Sequence, residues 1–102
     1  MSKVSVIAKI TANEGQRSDM IAAMGTMMEH VEANEPDTLK YILMEDGQDD
    51  DVVWMYEEYT DDEAFQAHGT SDTMKELGAA LRPYAAGRPQ VIVCNPVRGK
   101  GL

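Results

Sequence analysis

The spacing of apolar residues in this chain switches between a period of two and one near 3.6, and the order of the switches restricts the fold more than any single motif. From Lys3 to Thr11 the residues alternate, with Val4, Val6, Ala8 and Ile10 on one side and Ser5, Ile7, Lys9 and Thr11 on the other, as in a strand. Asn13-Glu14-Gly15 interrupts this as a turn. Between Gln16 and Asn34 the period lengthens: Met20, Met24, Met27 and Val31 recur at helical steps, flanked by Ile21 and Met28. Pro36 disfavours helical geometry in Glu35, so Glu35-Pro36-Asp37 stops this helix.

Thr38 to Glu45 alternates again, with Leu39, Tyr41 and Leu43 opposite Ile42 and Met44. After an acidic connection opened by Asp46-Gly47, Val52 to Tyr59 runs back as a strand. One of its faces carries Val53, Met55, Glu57 and Tyr59, the other Val52, Trp54, Tyr56 and Glu58. Together the two runs predict an antiparallel hairpin. Thr60-Asp61-Asp62-Glu63 reads as a capping box opening a helix through Ala64, Phe65 and Ala67 to His68, which Gly69 weakens. Ser71 caps a further segment with a Met74, Leu77 and Leu81 stripe, and Pro83 ends it. Gln90 to Cys94 is a short apolar strand, Asn95-Pro96 closes it, and residues 98–102 read as a loose tail.

The order is therefore β-α-β-β-α-β, the ferredoxin-like α+β layout of four antiparallel strands with helices on one face. Residues 1–102 suffice for one such domain. The opposite face is too apolar for water, since it carries Ile7, Trp54, Tyr56 and part of the last strand, and this predicts a homodimer with Trp54 and Tyr56 at the interface. A net charge of −9 repels phosphates and anionic headgroups, which argues against nucleic acid and membrane as partners. No apolar run approaches a membrane span. The start at Met1-Ser2-Lys3-Val4 reads as a strand and not as a secretory leader. A lone cysteine, Cys94, forms no intrachain disulfide, which suits a reducing cytoplasm.

Phosphate loops, paired-histidine metal motifs and nucleophile elbows are absent, and with one cysteine, His30 and His68 the sequence offers no protein-built zinc site. Candidates are thus isolated polar residues among apolar ones. His68, at a helix end beside Phe65, suits proton exchange near neutral pH; its plainer reading is a helix-ending residue. Glu57 shares the Val53 and Met55 face, where a carboxylate must be paired, protonated or beside a pocket. The plainer alternative there is an ion pair with Arg82 or Lys9. Tyr59, on the same face, has a hydroxyl to offer a substrate oxygen. Small Ala8 leaves room beneath the helices, and Met24, Met27, Met28 and Phe65 suit a pliable wall for a flat ligand, although core filling is the default for methionine. His30, between Glu29 and Glu32, reads as a surface residue.

Two stretches carry a family resemblance. Glu35-Pro36-Asp37-Thr38-Leu39-Lys40-Tyr41 is close to Glu-Pro-Gly-x-x-x-Tyr, and Glu57-Glu58-Tyr59-Thr60-Asp61-Asp62-Glu63-Ala64-Phe65-Gln66-Ala67-His68 is similar to Glu-x-Trp-x-x-x-x-Ala-x-x-x-His. In register with the element order, they resemble the antibiotic biosynthesis monooxygenase domain family, including its small quinol-monooxygenase-like members, over nearly the whole chain. The resemblance implies a dimeric α+β barrel with a cavity between helices and sheet. It also implies oxidation of phenols or quinols by dioxygen with no metal, flavin or other cofactor. Tyr59 stands where the family usually has Trp. Ala8 stands where the haem-degrading branch has Asn, which disfavours haem degradation.

The resulting expectation is a cofactor-independent monooxygenase acting on a small aromatic or hydrophobic substrate, with His68 as base, Glu57 orienting it and Tyr59 positioning the substrate. An isomerase or lyase using the same proton-transfer pair, and a non-catalytic dimer that binds a small hydrophobic ligand, are the alternatives.

Overall fold

The computed structural model describes residues 3–102; Met1 and Ser2, the expected start of the single domain, lie outside them. The elements are β1 (Val4–Thr11), α1 (Arg17–Ala23), α2 (Gly25–Asn34), β2 (Thr38–Glu45), β3 (Val52–Tyr59), α3 (Asp62–Gly69), α4 (Asp72–Leu81) and β4 (Gln90–Cys94). The strands form one antiparallel sheet in the order β2-β3-β1-β4 with the helices on one face, which is the ferredoxin-like α+β fold.

Strand pairing sorts side chains into rows across the sheet. On the helix side run Leu43–Met55–Ala8–Val91 and Tyr41–Glu57–Val6–Val93. On the other side run Ile42–Tyr56–Ile7–Ile92 and Met44–Trp54–Lys9–Gln90. The main core joins Ala8, Ile10, Val53 and Met55 of the sheet to Met20, Met24, Met27, Val31, Leu77 and Leu81 of the helices. A second cluster joins Val4, Val6 and Tyr59 to Ala64 and Phe65. Val91 and Val93 remain more than half exposed on the helix side of β4.

Local details correct the sequence reading. The Met-rich stripe predicts one continuous helix; the chain divides it at Met24, whose N–H is shared between the Met20 and Ile21 carbonyls just before Gly25. Such sharing tightens a helical turn, and glycine is a weak helix former. The α3 cap is Asp61, whose carboxylate accepts from the Ala64 N–H at 2.8 Å, one residue later than the Thr60 capping box. Carboxylate charge suits the positive helix end better than a hydroxyl, and Thr60 N–H is bound to the Asp37 carbonyl. Ser71 does cap α4, accepting from Met74 N–H.

A bulge between Thr38 and Lys40 leaves Leu39 without a β3 partner and exposed, so strict alternation with Tyr41 and Leu43 fails there. The end of the chain turns back over the open sheet face, where Lys40 Nζ donates to the Gly101 carbonyl at 3.1 Å. Beneath it the nearly inaccessible Glu58 is held by Lys3 and Lys40, at 3.5 and 3.7 Å. No helix among the described residues is long and apolar enough to cross a membrane.

Candidate active site

Period-two alternation on β3 turns Glu57 and Tyr59 towards the helices, where both are buried, and leaves Trp54 and Tyr56 half-buried on the opposite face. The row partners of Glu57 are Tyr41 on β2 and Val6 on β1. From above, α3 lowers His68, which is only 3% exposed. The turn that Pro36 forces after α2 supplies Glu35. These four segments bring Glu35, Tyr41, Glu57, Tyr59 and His68 together.

Glu35 is the hub. Its Oε1 lies 2.8 Å from His68 Nδ1 and accepts the Thr38 hydroxyl at the same distance, while its Oε2 lies 3.1 Å from His30 Nε2. Burial pushes this carboxyl up, but hydrogen bonds from His68 and Thr38 and the charges of His68 and His30 outweigh it, holding Glu35 below its ordinary range. An ionised carboxylate only accepts, so His68 donates from Nδ1, and in the neutral ring Nε2 is then the lone-pair nitrogen.

That Nε2 is buried and has no hydrogen-bond partner. It faces Glu57 Oε1 at 4.0 Å, beyond hydrogen-bond reach. Glu57 is shifted the other way from Glu35. Burial pushes it up, the Tyr59 hydrogen bond and the His68 charge pull it back, and the charge of Glu35 adds to the rise, so the net displacement is upward. Tyr59 donates to Glu57 Oε1 at 2.5 Å. Burial and the neighbouring carboxylates raise both Tyr59 and Tyr41 well above the usual phenol range, so both stay protonated donors. The His68 ring is edged by Tyr41 and Tyr59, at 5.2 and 5.3 Å between centroids, and Phe65 packs on Tyr59.

A cleft of about 260 Å³ opens between the end of α2 and α3, lined by His30, Asn34, Glu35, Pro36, Ala67 and His68 among others. This geometry revises the expected roles. His68 and Glu57 do meet, but Glu35 and not Glu57 orients the histidine. The Tyr59 hydroxyl is committed to Glu57, and Glu57 has neither Arg82 nor Lys9 beside it; Lys9 lies over Trp54 on the far face. Ala8, Met24 and Met27 are close-packed core, and Met28 packs against it, so the room expected beneath Ala8 is filled. Phe65 belongs to the second cluster.

Sequence reading passed over Glu35, His30 and Tyr41 as actors. The one available signal was that Glu35 and Tyr41 stand at the two ends of the first resembling stretch. Among the described residues no three His, Cys, Asp or Glu side chains are grouped to hold a metal ion.

Residues 3–80 match the family model described as antibiotic biosynthesis monooxygenase. A candidate antibiotic biosynthesis monooxygenase from Caulobacter crescentus superposes with a TM-score of 0.89 at 27% identity, covering 95% of this chain and 92% of that one. Another, from Chloroflexus aurantiacus, gives 0.79 at 27% identity with 98% of each chain covered. SnoaB, a cofactor-independent oxygenase from Streptomyces nogalater, shares the fold at 0.83 over the whole of both chains, with 14% identity. No curated protein matches the sequence.

Proposed function

Because this chain belongs to the antibiotic biosynthesis monooxygenase family, we propose that it oxidises a phenolic or quinol-type small molecule with dioxygen, using no metal or flavin. The observation that carries this reading is His68 Nε2, a buried nitrogen without a partner whose ring is fixed from behind by Glu35. A histidine held in this way is suited to act as a general base.

In this reading a substrate hydroxyl sits between His68 Nε2 and Glu57 and gives its proton to the histidine. An oxygen bridging two groups at about 2.8 Å from each needs them slightly farther apart than they stand here, so binding is accompanied by a small outward shift of α3. The phenolate passes one electron to dioxygen, and the radical pair recombines to form a carbon–oxygen bond. Loss of water, with a proton returned from His68, leaves the quinone. The protein contributes deprotonation, orientation and exclusion of bulk water. Glu35 holds the imidazole, Tyr59 holds Glu57, and Tyr41 and Phe65 shape the surroundings.

Oxygen uptake by metal-free protein with a panel of hydroquinones tests this. We expect rates above the uncatalysed reaction, falling by roughly 10²- to 10⁴-fold in His68→Gln. If no hydroquinone is turned over, the reading is removed. One feature favours an isomerase or lyase on the same residues: Glu57, with its raised proton affinity, faces the unpartnered His68 nitrogen and could exchange protons across a substrate without oxygen. Activity unchanged under anaerobic conditions would select that reading. The proposal also has the chain paired as a homodimer through the open sheet face that carries Trp54 and Tyr56.

A further inference from the structure

A second cavity, of about 370 Å³, lies at the other end of the helical layer, between α4, the end of β1 and the segment leading into β4. Its deepest lining residues are Ile10 and Leu81, both buried. Ala85 and Pro89 form a side, and Arg82 and Arg88 stand at the rim. None of the residues around His68 takes part in it.

Three features mark it as more than imperfect packing. Its wall is fixed before any ligand arrives. Ala12 and Ala85 form a bridge, Ala86 N–H donates to the Thr11 carbonyl at 2.8 Å and Asn13 N–H to the Tyr84 carbonyl at 2.7 Å, so the segment after α4 is bound to the end of β1. Gly87, at φ +114, then makes the turn that brings Arg88 to the rim.

Gly78 is the second feature. Glycine inside a helix weakens it, and here no neighbouring atom forbids a side chain, because a Cβ built at Gly78 would meet nothing within 4 Å. What the missing side chain leaves clear is the entrance of the cavity.

The third is charge. Arg82 and Arg88, like most of the basic side chains here, make no ion pair among the described residues, and what sets them apart is that both stand at the rim of one apolar cavity. An apolar pocket with a few placed polar groups is the general form of a small-molecule site, and guanidinium groups recognise carboxylates in paired hydrogen bonds.

We propose that this cavity binds a small apolar carboxylate, its hydrocarbon part over Ile10 and Leu81 and its anionic head at Arg82 and Arg88. Octanoate is the probe, with octanol as its uncharged counterpart. Titration calorimetry, with the site located by amide shifts in a nitrogen–proton NMR spectrum, should show octanoate binding that perturbs Leu81, Ala85 and Arg88, and octanol binding about tenfold weaker or more. The double variant Arg82→Gln/Arg88→Gln should weaken octanoate by about tenfold or more. Gly78→Leu should block it, while its own unfolding midpoint confirms an intact fold. The assignment is overturned if octanoate leaves these amides unmoved, whether because the site is empty or because a second copy of the chain covers it. It is equally overturned if neither variant changes the affinity, or if octanol binds as well as octanoate.

Discussion

Glu35 and Glu57 lie on opposite sides of the same imidazole and respond to it in opposite senses. Glu35, held below its ordinary range by His68, Thr38 and His30, stabilises the fold above the unfolded carboxyl value near 4.5, and that contribution fades as pH falls through its folded value. Glu57, raised by burial, binds its proton more tightly when folded. Its contribution is present at low pH and is lost as pH rises from 4.5 through the raised value. Glu57→Gln keeps an oxygen for the Tyr59 hydroxyl and removes the buried charge. Urea midpoints should therefore show this variant gaining on the wild type as pH rises across that window; a difference independent of pH would refute the assignment. Glu35→Gln should act on His68 instead, lowering turnover about 10- to 100-fold, as loss of an orienting partner does. Glu57, Tyr59 and His68 were legible as a group because alternation along one strand and the spacing of the following helix place them. Glu35 and His30 were not, because they reach His68 through a turn whose direction no periodicity encodes. Thr38, just ahead of the Leu39 bulge, donates to Glu35 three residues back, a local contact that an alternating pattern conceals.

At the level of elements, the switches of period located every strand and every helical stretch, though not the division of the first stretch at Met24, because each repeats its apolar residues at the period its backbone imposes. The ends and joins were harder to read. Thr60 and Asp61 are both good caps, and only the three-dimensional fit decides that Asp61 receives Ala64 N–H. Asp61→Ala should cost about 1 kcal/mol in chemical denaturation, and Thr60→Ala much less. Because α3 carries His68, the same variant should also raise amide exchange through Phe65 to Gly69. The break at Met24 offers a converse test. A methyl group at Gly25 meets no atom within 4 Å and its φ is not positive, so Gly25→Ala should stabilise by roughly 0.4–1 kcal/mol by narrowing the unfolded ensemble. If the break between α1 and α2 instead needs glycine, the variant will lose stability.

For the whole molecule, the question is what covers the sheet face opposite the helices. Its row Ile42–Tyr56–Ile7–Ile92 is apolar on all four strands, and Ile7, Ile42 and Ile92 are each more than a third exposed. The adjoining row adds Met44 and Trp54, with Lys9 lying over the indole and Asp46 accepting its N–H. Residues 96–102 lie over Ser5, Lys40, Glu58 and part of Tyr56 and leave Ile7, Ile42 and Ile92 exposed, so they are not the missing layer. Three strands of eight residues and one of five present a face roughly 19 Å wide and up to about 26 Å long, about 450 Å² in projection. Side-chain relief brings its accessible area towards the ~800 Å² per partner of stable interfaces, enough for a second copy related by a twofold axis. Wild-type protein should then sediment as a dimer. Tyr56→Glu should weaken pairing by about thirtyfold or more, because its carboxylate would be buried without a partner near the centre of the face, while Trp54→Glu, which has Lys9 beside it, should weaken pairing less. Glu58, which already occupies Lys3 and Lys40, leaves a new carboxylate at position 56 no spare cation there. A monomeric wild type, or a charged variant that sediments unchanged, would leave this face to some other partner.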